Sequence, residues 1–399
     1  MRNKNISILF SLFYLKLLSE DDYIWSETES MKTLSLVFLS LIILSMAGTY
    51  LFLRQEIFGS KPEGARLARV LQSPNYKDGQ FQNLRETPAL AEGYSYPKVF
   101  FDFLFKKFPN GVPVDSIPSI VTDLKAIPKD RNYLVWFGHS SYLLQLDGLT
   151  FLVDPVLSGY ASPIKRFNRA FKGSDRYRVS DLPPIDFLII THDHYDHLDF
   201  ETVKKLKGKV GKIIVPLGVG AHLEQWGYET SSLIEQDWGD SVDLSHGFKL
   251  HFTPARHFSG RTLKRNTTLW TSYVLESPSK RIFIGGDSGY DTHFAEIGRA
   301  FDEFDLAILE NGQYNEAWRY IHTLPEEVLK ASQDLNARRL FPVHSAKFKL
   351  GQHPWSEPLM KLTELNKGPM LNIATPMIGE LLDLDNEAQR FSKWWEHLE

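Results

Sequence analysis

The sequence predicts an α/β protein of two mixed β-sheets with helices on their outer faces, preceded by one N-terminal transmembrane helix. Three observations carry this expectation. From Asn132 onward, short strand-like segments come first and then alternate with helical patterns. Several of those strands end on a single histidine or aspartate. Upstream, Leu34 to Leu53 is a twenty-residue run without a charge, flanked by Lys32 and Arg54.

That run has the length of one spanning helix, so residues 34–53 read as a single-pass anchor. A signal peptide is the rival, with a shorter apolar core and a small-residue cleavage site, for which Ser45-Met46-Ala47-Gly48 is a weak candidate. Residues 1–33 form an N-terminal extension. Within it Ile6–Leu18 is broken by Lys16 and does not qualify as a second span, and Met31-Lys32 has the look of a natural start. Arg54, Lys61, Arg66 and Arg69 follow the span, which leans towards a cytoplasmic catalytic domain and leaves sidedness open. Residues 54–130 read as a connector and extension packed on the following domain, with turn signals at Ser73-Pro74-Asn75 and Pro109-Asn110-Gly111. Inside it Val99–Phe108 is densely aromatic. Packing onto the domain is the expectation, and a membrane-interface segment is the alternative.

Residues 131–399 form the main domain. Tyr133–Trp136, Tyr142–Leu146 and Thr150–Asp154 read as strands, the last two joined by a hairpin at Asp147-Gly148. Asp186–Thr191 reads as a buried strand, apolar from Phe187 to Ile190, and Lys212–Val215, Lys249–Thr253, Ser272–Glu276, Arg281–Ile284, Leu306–Leu309 and Arg339–Pro342 continue the series. Helical patterns fall at Glu201–Lys207, Ala221–Trp226, Phe294–Arg299, Pro325–Leu335 and Glu357–Leu365. Pro325 followed by Glu326 and Glu327 suits a helix first turn.

A hydrophobic share of 43% and a charged share of 24% are those of a globular chain, which argues against wholesale disorder. With a net charge of −4, no electrostatic footprint for nucleic acid is expected. The chain has no cysteine, so disulfides, thiolate ligands and a cysteine nucleophile are excluded.

The densest chemistry lies in Thr191-His192-Asp193-His194-Tyr195-Asp196-His197, three histidines and two carboxylates directly after an apolar strand. Imidazole and carboxylate suit zinc, manganese and iron. His192 and His194, two apart, can point the same way from an extended strand end, while Asp196 and His197 follow the turn. His257, Asp287 and His344 each close another strand, and Gly285-Gly286 allows backbone to approach a crowded centre.

With those residues in place the chain resembles the metallo-β-lactamase superfamily, whose pattern is HxHxDH followed by His, Asp and His. More closely it resembles the branch of N-acyl-phosphatidylethanolamine-hydrolysing phospholipase D and its bacterial relatives. The likeness spans about residues 130–350. It includes Trp136-Phe137-Gly138-His139, Phe151-Leu152-Val153-Asp154-Pro155, Leu182-Pro183-Pro184-Ile185-Asp186, Arg261-Thr262-Leu263, Gly286-Asp287-Ser288-Gly289-Tyr290 and Asn311-Gly312-Gln313-Tyr314. It implies a four-layer αβ/βα sandwich. It further implies two divalent metals, zinc first with manganese or iron as alternatives: His192, His194 and His257 on one, Asp196, His197 and His344 on the other, Asp287 bridging. A hydroxide shared by the metals would be the nucleophile.

Around that set, Asp154 is expected to orient a ligand histidine or else to begin the Asp-Pro turn. His322 is a candidate for the substrate or leaving group, or a structural helix-start histidine. Asp193 is not a ligand, and His139 is expected to be structural. Arg256 and Arg261 are either phosphate contacts or surface charges. The expected activity is a membrane-anchored phospholipase D-type phosphodiesterase acting on phospholipid headgroups, at the bacterial inner membrane. A lactonase or other carbonyl hydrolase is the first alternative and a non-catalytic metal-binding membrane protein the second. A homodimer is left open.

Overall fold

The computed structural model describes residues 30–106, 108–367 and 371–398. The expected N-terminal extension therefore lies almost wholly outside the described residues. The chain divides into two compact units, one up to Gln55 and one from Glu56 to Glu399. The first contributes α1 (Ser30–Leu53), a 24-residue helix long and apolar enough to cross a membrane and nowhere buried.

The second unit begins with elements hidden from the sequence: α2 (Gly64–Gln72), a hairpin of β1 (Tyr76–Lys77) and β2 (Gln80–Phe81), and α3 (Tyr96–Phe105). Helix α2 carries a short apolar stripe of Leu67, Val70 and Leu71 but buries only Val70 of it. It is held instead by Arg66, whose guanidinium lies 2.6 Å from Glu224 Oε2 and 2.7 Å from Glu235 Oε2. The expected packing of the aromatic segment needs correction. On α3, Tyr96, Phe100, Phe101 and Phe105 are each more than 60% exposed. A helix that is apolar around most of its circumference offers more aromatic surface than one contact face can cover.

The remaining elements are β3 (Tyr133–Trp136), β4 (Tyr142–Leu146), β5 (Leu149–Val153), β6 (Ile185–Ile189), α4 (Phe200–Leu206), β7 (Val210–Pro216), α5 (Gly220–Gln225), β8 (Leu233–Gln236), β9 (Ser241–Asp243), β10 (Lys249–Thr253), β11 (Ser272–Glu276), β12 (Arg281–Ile284), α6 (His293–Phe301), β13 (Leu306–Glu310), α7 (Pro325–Asp334), β14 (Arg339–Val343), α8 (Glu357–Leu365), β15 (Asn372–Ile373) and β16 (Leu381–Asp383). They build two seven-stranded sheets, β16-β3-β4-β5-β6-β7-β8 and β15-β14-β13-β12-β11-β10-β9.

Alternation of side chains along each strand produces the layers. Leu134 and Trp136 face the core between the sheets, with Phe252, Tyr273, Ile284 and Phe341 from the opposite sheet. Tyr133 and Val135 face the other way, into a core closed by Val203 and Leu206 of α4 and Leu223 of α5. On the far side, Phe283, Ala307 and Leu340 pack against α6, α7 and α8. The result is helix, sheet, sheet, helix, the layer order expected from the resemblance.

Strand direction decides where a site can form. β12, β13 and β14 are mutually parallel, and two antiparallel pairings through β11 make β10 run with them. By the same count β3, β5 and β6 share one direction. The carboxyl ends of these seven strands therefore collect at one end of each sheet, where loops can carry polar side chains without disturbing the apolar interior.

Candidate metal centre

All seven ligand-type residues expected from sequence reach one place, along the sheet edges just described. The loop after β6 supplies His192, His194, Asp196 and His197, and the turns after β10, β12 and β14 supply His257, Asp287 and His344. His192, His194, His257 and Asp287 form one group whose donor atoms all lie within 4.8 Å of one another. Asp196, His197 and His344 form a second with His139. Asp287 stands between them. Its Oδ2 is 3.8 Å from His192 Nε2 and 3.7 Å from His257 Nε2, whereas Oδ1 is 3.2 Å from both His197 Nε2 and His344 Nδ1. One carboxylate thus turns one oxygen to each group.

The donors fit cations rather than each other. His192 Nε2 and His194 Nδ1 are 2.9 Å apart, and His194 Nδ1 and His257 Nε2 3.2 Å. Tetrahedral zinc with bonds of about 2.0–2.1 Å spaces its nitrogens by about 3.3 Å. His197 Nε2 and Asp287 Oδ1 are buried and have no hydrogen-bond partner among the described residues, an expensive arrangement unless a cation meets them. Burial lowers the pKa of His192, His257 and His344 well below the usual range and that of His194 to about 4, so these rings are neutral, the form that ligates. Burial pushes the Asp287 carboxyl up to about 7. At His197 burial acts to lower the pKa, but Asp287, Asp196 and Asp154 together raise it well above. The carboxylates here call for positive charge, which divalent cations would supply.

The ligands are oriented from behind. Asp154, at the end of β5, has Oδ2 2.7 Å from His197 Nδ1 and accepts from Thr191 N at 2.8 Å and Thr191 Oγ1 at 2.6 Å. Ile321 O accepts from His257 Nδ1 at 2.8 Å, whereas Ser140 Oγ lies 3.0 Å from His344 Nδ1, the nitrogen that also faces Asp287. His139, Asp154 and His344 all adopt left-handed backbone with φ between 40° and 69°, local strain that the packed surroundings hold in place. Gly286, with φ 61°, sits so close to the ligand loop that an added Cβ would lie 2.9 Å from Thr191 Cβ. Asp193 points away and accepts from Gly260 N and Thr268 Oγ1, with His222 Nε2 3.2 Å away, so it builds the loop. Asp154→Asn is expected to weaken metal retention at the His197 group by about 10–100-fold, measured by competition with a chelator of known affinity. Unchanged retention would reduce Asp154 to a turn residue.

Other expected residues are placed differently. His322 lines the cavity over the centre, and its Nδ1 is 2.6 Å from Glu310 Oε2. Arg261 is 4% exposed and its guanidinium donates to Ile57 O, Asp193 O and Leu198 O, with the Tyr195 ring 4.1 Å away. It is a buried tie between loops and not a phosphate contact. Arg256 donates to Thr87 Oγ1, Glu86 O and Tyr290 O, away from the cavity. Neither is the phosphate contact that the sequence offered as one reading, because neighbouring loop residues leave the chain in different directions. Three residues went unseen: Glu310, His139 as a partner of Asp196 at 2.9 Å, and Arg265 on the cavity wall. Glu310 had a signal, since it too closes an apolar strand.

The cavity holds about 530 Å³. Its floor is His194, Asp196, Asp287 and His344, and its walls include Leu90, Val99, Phe100, Phe258, Trp318, Ile321 and Leu350. Arg265 is the cationic side chain in the wall, its guanidinium 4.8 Å over the Phe258 ring.

This fold and donor set define a hydrolase of the metallo-β-lactamase type, and residues 150–345 match the Beta-lactamase superfamily domain. The chain belongs to the metallo-β-lactamase superfamily, in the branch that contains the N-acyl-phosphatidylethanolamine-hydrolysing phospholipases D. It is 32% identical over 251 residues to N-acyl-phosphatidylethanolamine-hydrolyzing phospholipase D 1 of Caenorhabditis elegans, 58% of this chain and 69% of that one. It is 38% identical over 328 residues to an uncharacterized protein of Mycobacterium tuberculosis, 81% of this chain and 88% of the relative. Among solved structures it is similar to a possible metal-dependent hydrolase from Veillonella parvula, with a TM-score of 0.51 at 15% identity over 63% of this chain and 99% of that one.

Proposed function

We propose that the protein is a membrane-anchored, dinuclear-metal phosphodiesterase that cleaves phospholipids on the headgroup side, as the name of the nematode relative describes for that protein. The observation that carries this is the shape and lining of the cavity: apolar walls leading down to a floor of metal-type donors, with one guanidinium at the side. Apolar walls suit acyl chains, and Arg265 suits a phosphate oxygen. The exposed aromatics of α3, three of whose residues (Tyr96, Val99 and Phe100) line the same cavity, suit contact with lipid. Helix α1 would tether the chain to the phase that holds such a substrate.

His192, His194 and His257 would hold one cation and Asp196, His197 and His344 the other, with Asp287 shared. Divalent cations bound there would provide a hydroxide nucleophile at neutral pH and stabilise charge on the substrate oxygens. The chain's own residues orient the rest. Asp154 and Ile321 O fix which ring nitrogen His197 and His257 present, Arg265 receives an anionic group, and the apolar walls exclude bulk water.

The test loads the full chain, in detergent, with zinc and offers an N-acyl-phosphatidylethanolamine, a soluble phosphodiester and an acyl lactone. Release of phosphatidic acid supports the proposal. Lactone opening without phosphodiester cleavage replaces it with a carbonyl hydrolase, and stoichiometric metal without turnover replaces it with a binding protein. Arg265→Ala is expected to raise KM for the anionic diester about tenfold while leaving KM for the neutral lactone within twofold. An equal rise for both would remove Arg265 as the phosphate contact.

A further inference from the structure

Glu310 is a buried carboxylate not among the seven expected ligands. It closes β13, is 3% exposed, and divides its oxygens between two loops. Oε1 accepts from Ser288 N at 2.7 Å and Thr323 N at 3.3 Å, while Oε2 lies 2.6 Å from His322 Nδ1. The turn that carries Asp287 is thereby joined to the turn that carries His322. His322 itself borders the cavity, with ring centroids 5.0 Å from His257 and 5.3 Å from His344. Its Nδ1 is engaged from behind as those of His197 and His257 are, by Asp154 and Ile321 O. Burial raises the Glu310 carboxyl well above its usual range, opposed by the Ser288 and Thr323 N–H donors that favour the ionised form. As a carboxylate it accepts at Nδ1, keeps the proton on that nitrogen and leaves Nε2 as an acceptor.

We infer that Glu310 is a positioning residue that holds His322 in the Nδ1–H tautomer, so that Nε2 accepts a hydrogen bond from a hydroxyl or N–H group of the bound substrate. The inference rests on the hydrolase reading of this site. A merely structural Glu310, tying two loops, is the alternative.

The isosteric change Glu310→Gln separates the two. The amide oxygen takes over the Ser288 and Thr323 N–H groups, which puts the NH2 at His322. The NH2 then donates to Nδ1 and forces the proton onto Nε2. Packing is kept and the tautomer is reversed, a change known to be costly where a carboxylate orients a working imidazole.

The experiment uses the zinc-loaded full chain with 15N-labelled histidine and reads the long-range imidazole 1H–15N pattern, the His322 signals being those missing in His322→Gln. The expected result is Nδ1–H in the wild type and Nε2–H in Glu310→Gln. With it, kcat on whichever ester is turned over falls about a hundredfold, at unchanged metal content and unfolding midpoint. Nε2–H in the wild type overturns the inference, as does a reversed tautomer with unchanged kcat. The NMR pattern is read whether or not a phosphodiester is cleaved, so failure of the functional reading and failure of this one remain distinguishable.

Discussion

Asp287→Asn is expected to reduce bound metal from about two ions per chain to one or fewer and to lower kcat/KM by at least about a thousandfold. Among the described residues Asp287 is the one that turns an oxygen to each donor group, with Oδ1 3.2 Å from His197 Nε2 and His344 Nδ1 and Oδ2 3.7 Å from His257 Nε2. Asparagine keeps the volume but offers one weak oxygen and an NH2 that repels a cation. Metal analysis and steady-state kinetics on one sample check this. Two metals retained with full turnover would show that Asp287 bridges nothing.

Stability reports the same residue independently. Burial pushes the Asp287 carboxyl up to about 7 when no cation faces it. The folded, metal-stripped protein therefore holds this proton more tightly than the unfolded chain. The stability it lends is fully present below the unfolded carboxylate value near 4 and is lost as pH rises through about 7. The difference in unfolding free energy between the stripped wild type and stripped Asp287→Asn should thus shift against the wild type between pH 4 and 7. Adding zinc should reverse that shift, because binding to the native state stabilises it.

Arg261→Met is expected to cost about 3–5 kcal/mol of stability, since it removes the guanidinium that donates to the carbonyls of Ile57, Asp193 and Leu198, the last two of them buried. The guanidinium donates to Ile57 O through two nitrogens and to Asp193 O and Leu198 O through a third, and lies over Tyr195 and Trp226. Asp193 and Leu198 bracket the ligand loop, so the change loosens the cluster from beneath. Denaturant unfolding measures the loss, while KM of the remaining folded enzyme should stay within about threefold. A rise in KM for an anionic substrate at unchanged stability would restore a phosphate-binding role.

The metal centre was readable from sequence because of how it is made. Six of the seven donors are the first polar side chains after an apolar strand or lie in the single loop that follows β6, and strand-end position survives without knowledge of the fold. Short or edge strands were less visible. β8, β9, β15 and β16 are the edge strands of the two large sheets, and the last three have three residues or fewer, too short for alternation to register. Helix α2 leaves Leu67 and Leu71 of its short apolar stripe exposed and is held by the Arg66 ion pairs.

By itself, then, the sequence determined the layered α/β architecture, the apolar α1 and the identity of the clustered donors, because alternation, length and side-chain chemistry are local properties. Only the tertiary structure decided that Arg261 is buried beneath the ligand loop while Arg265 lines the cavity, that the aromatics of α3 are exposed, and that Glu310 stands behind His322. Each of these depends on which way a side chain leaves its loop and what another element has brought opposite it. Such partners lie far apart in the chain, as Arg261 and Ile57 do, and no pattern of neighbouring residues encodes their meeting.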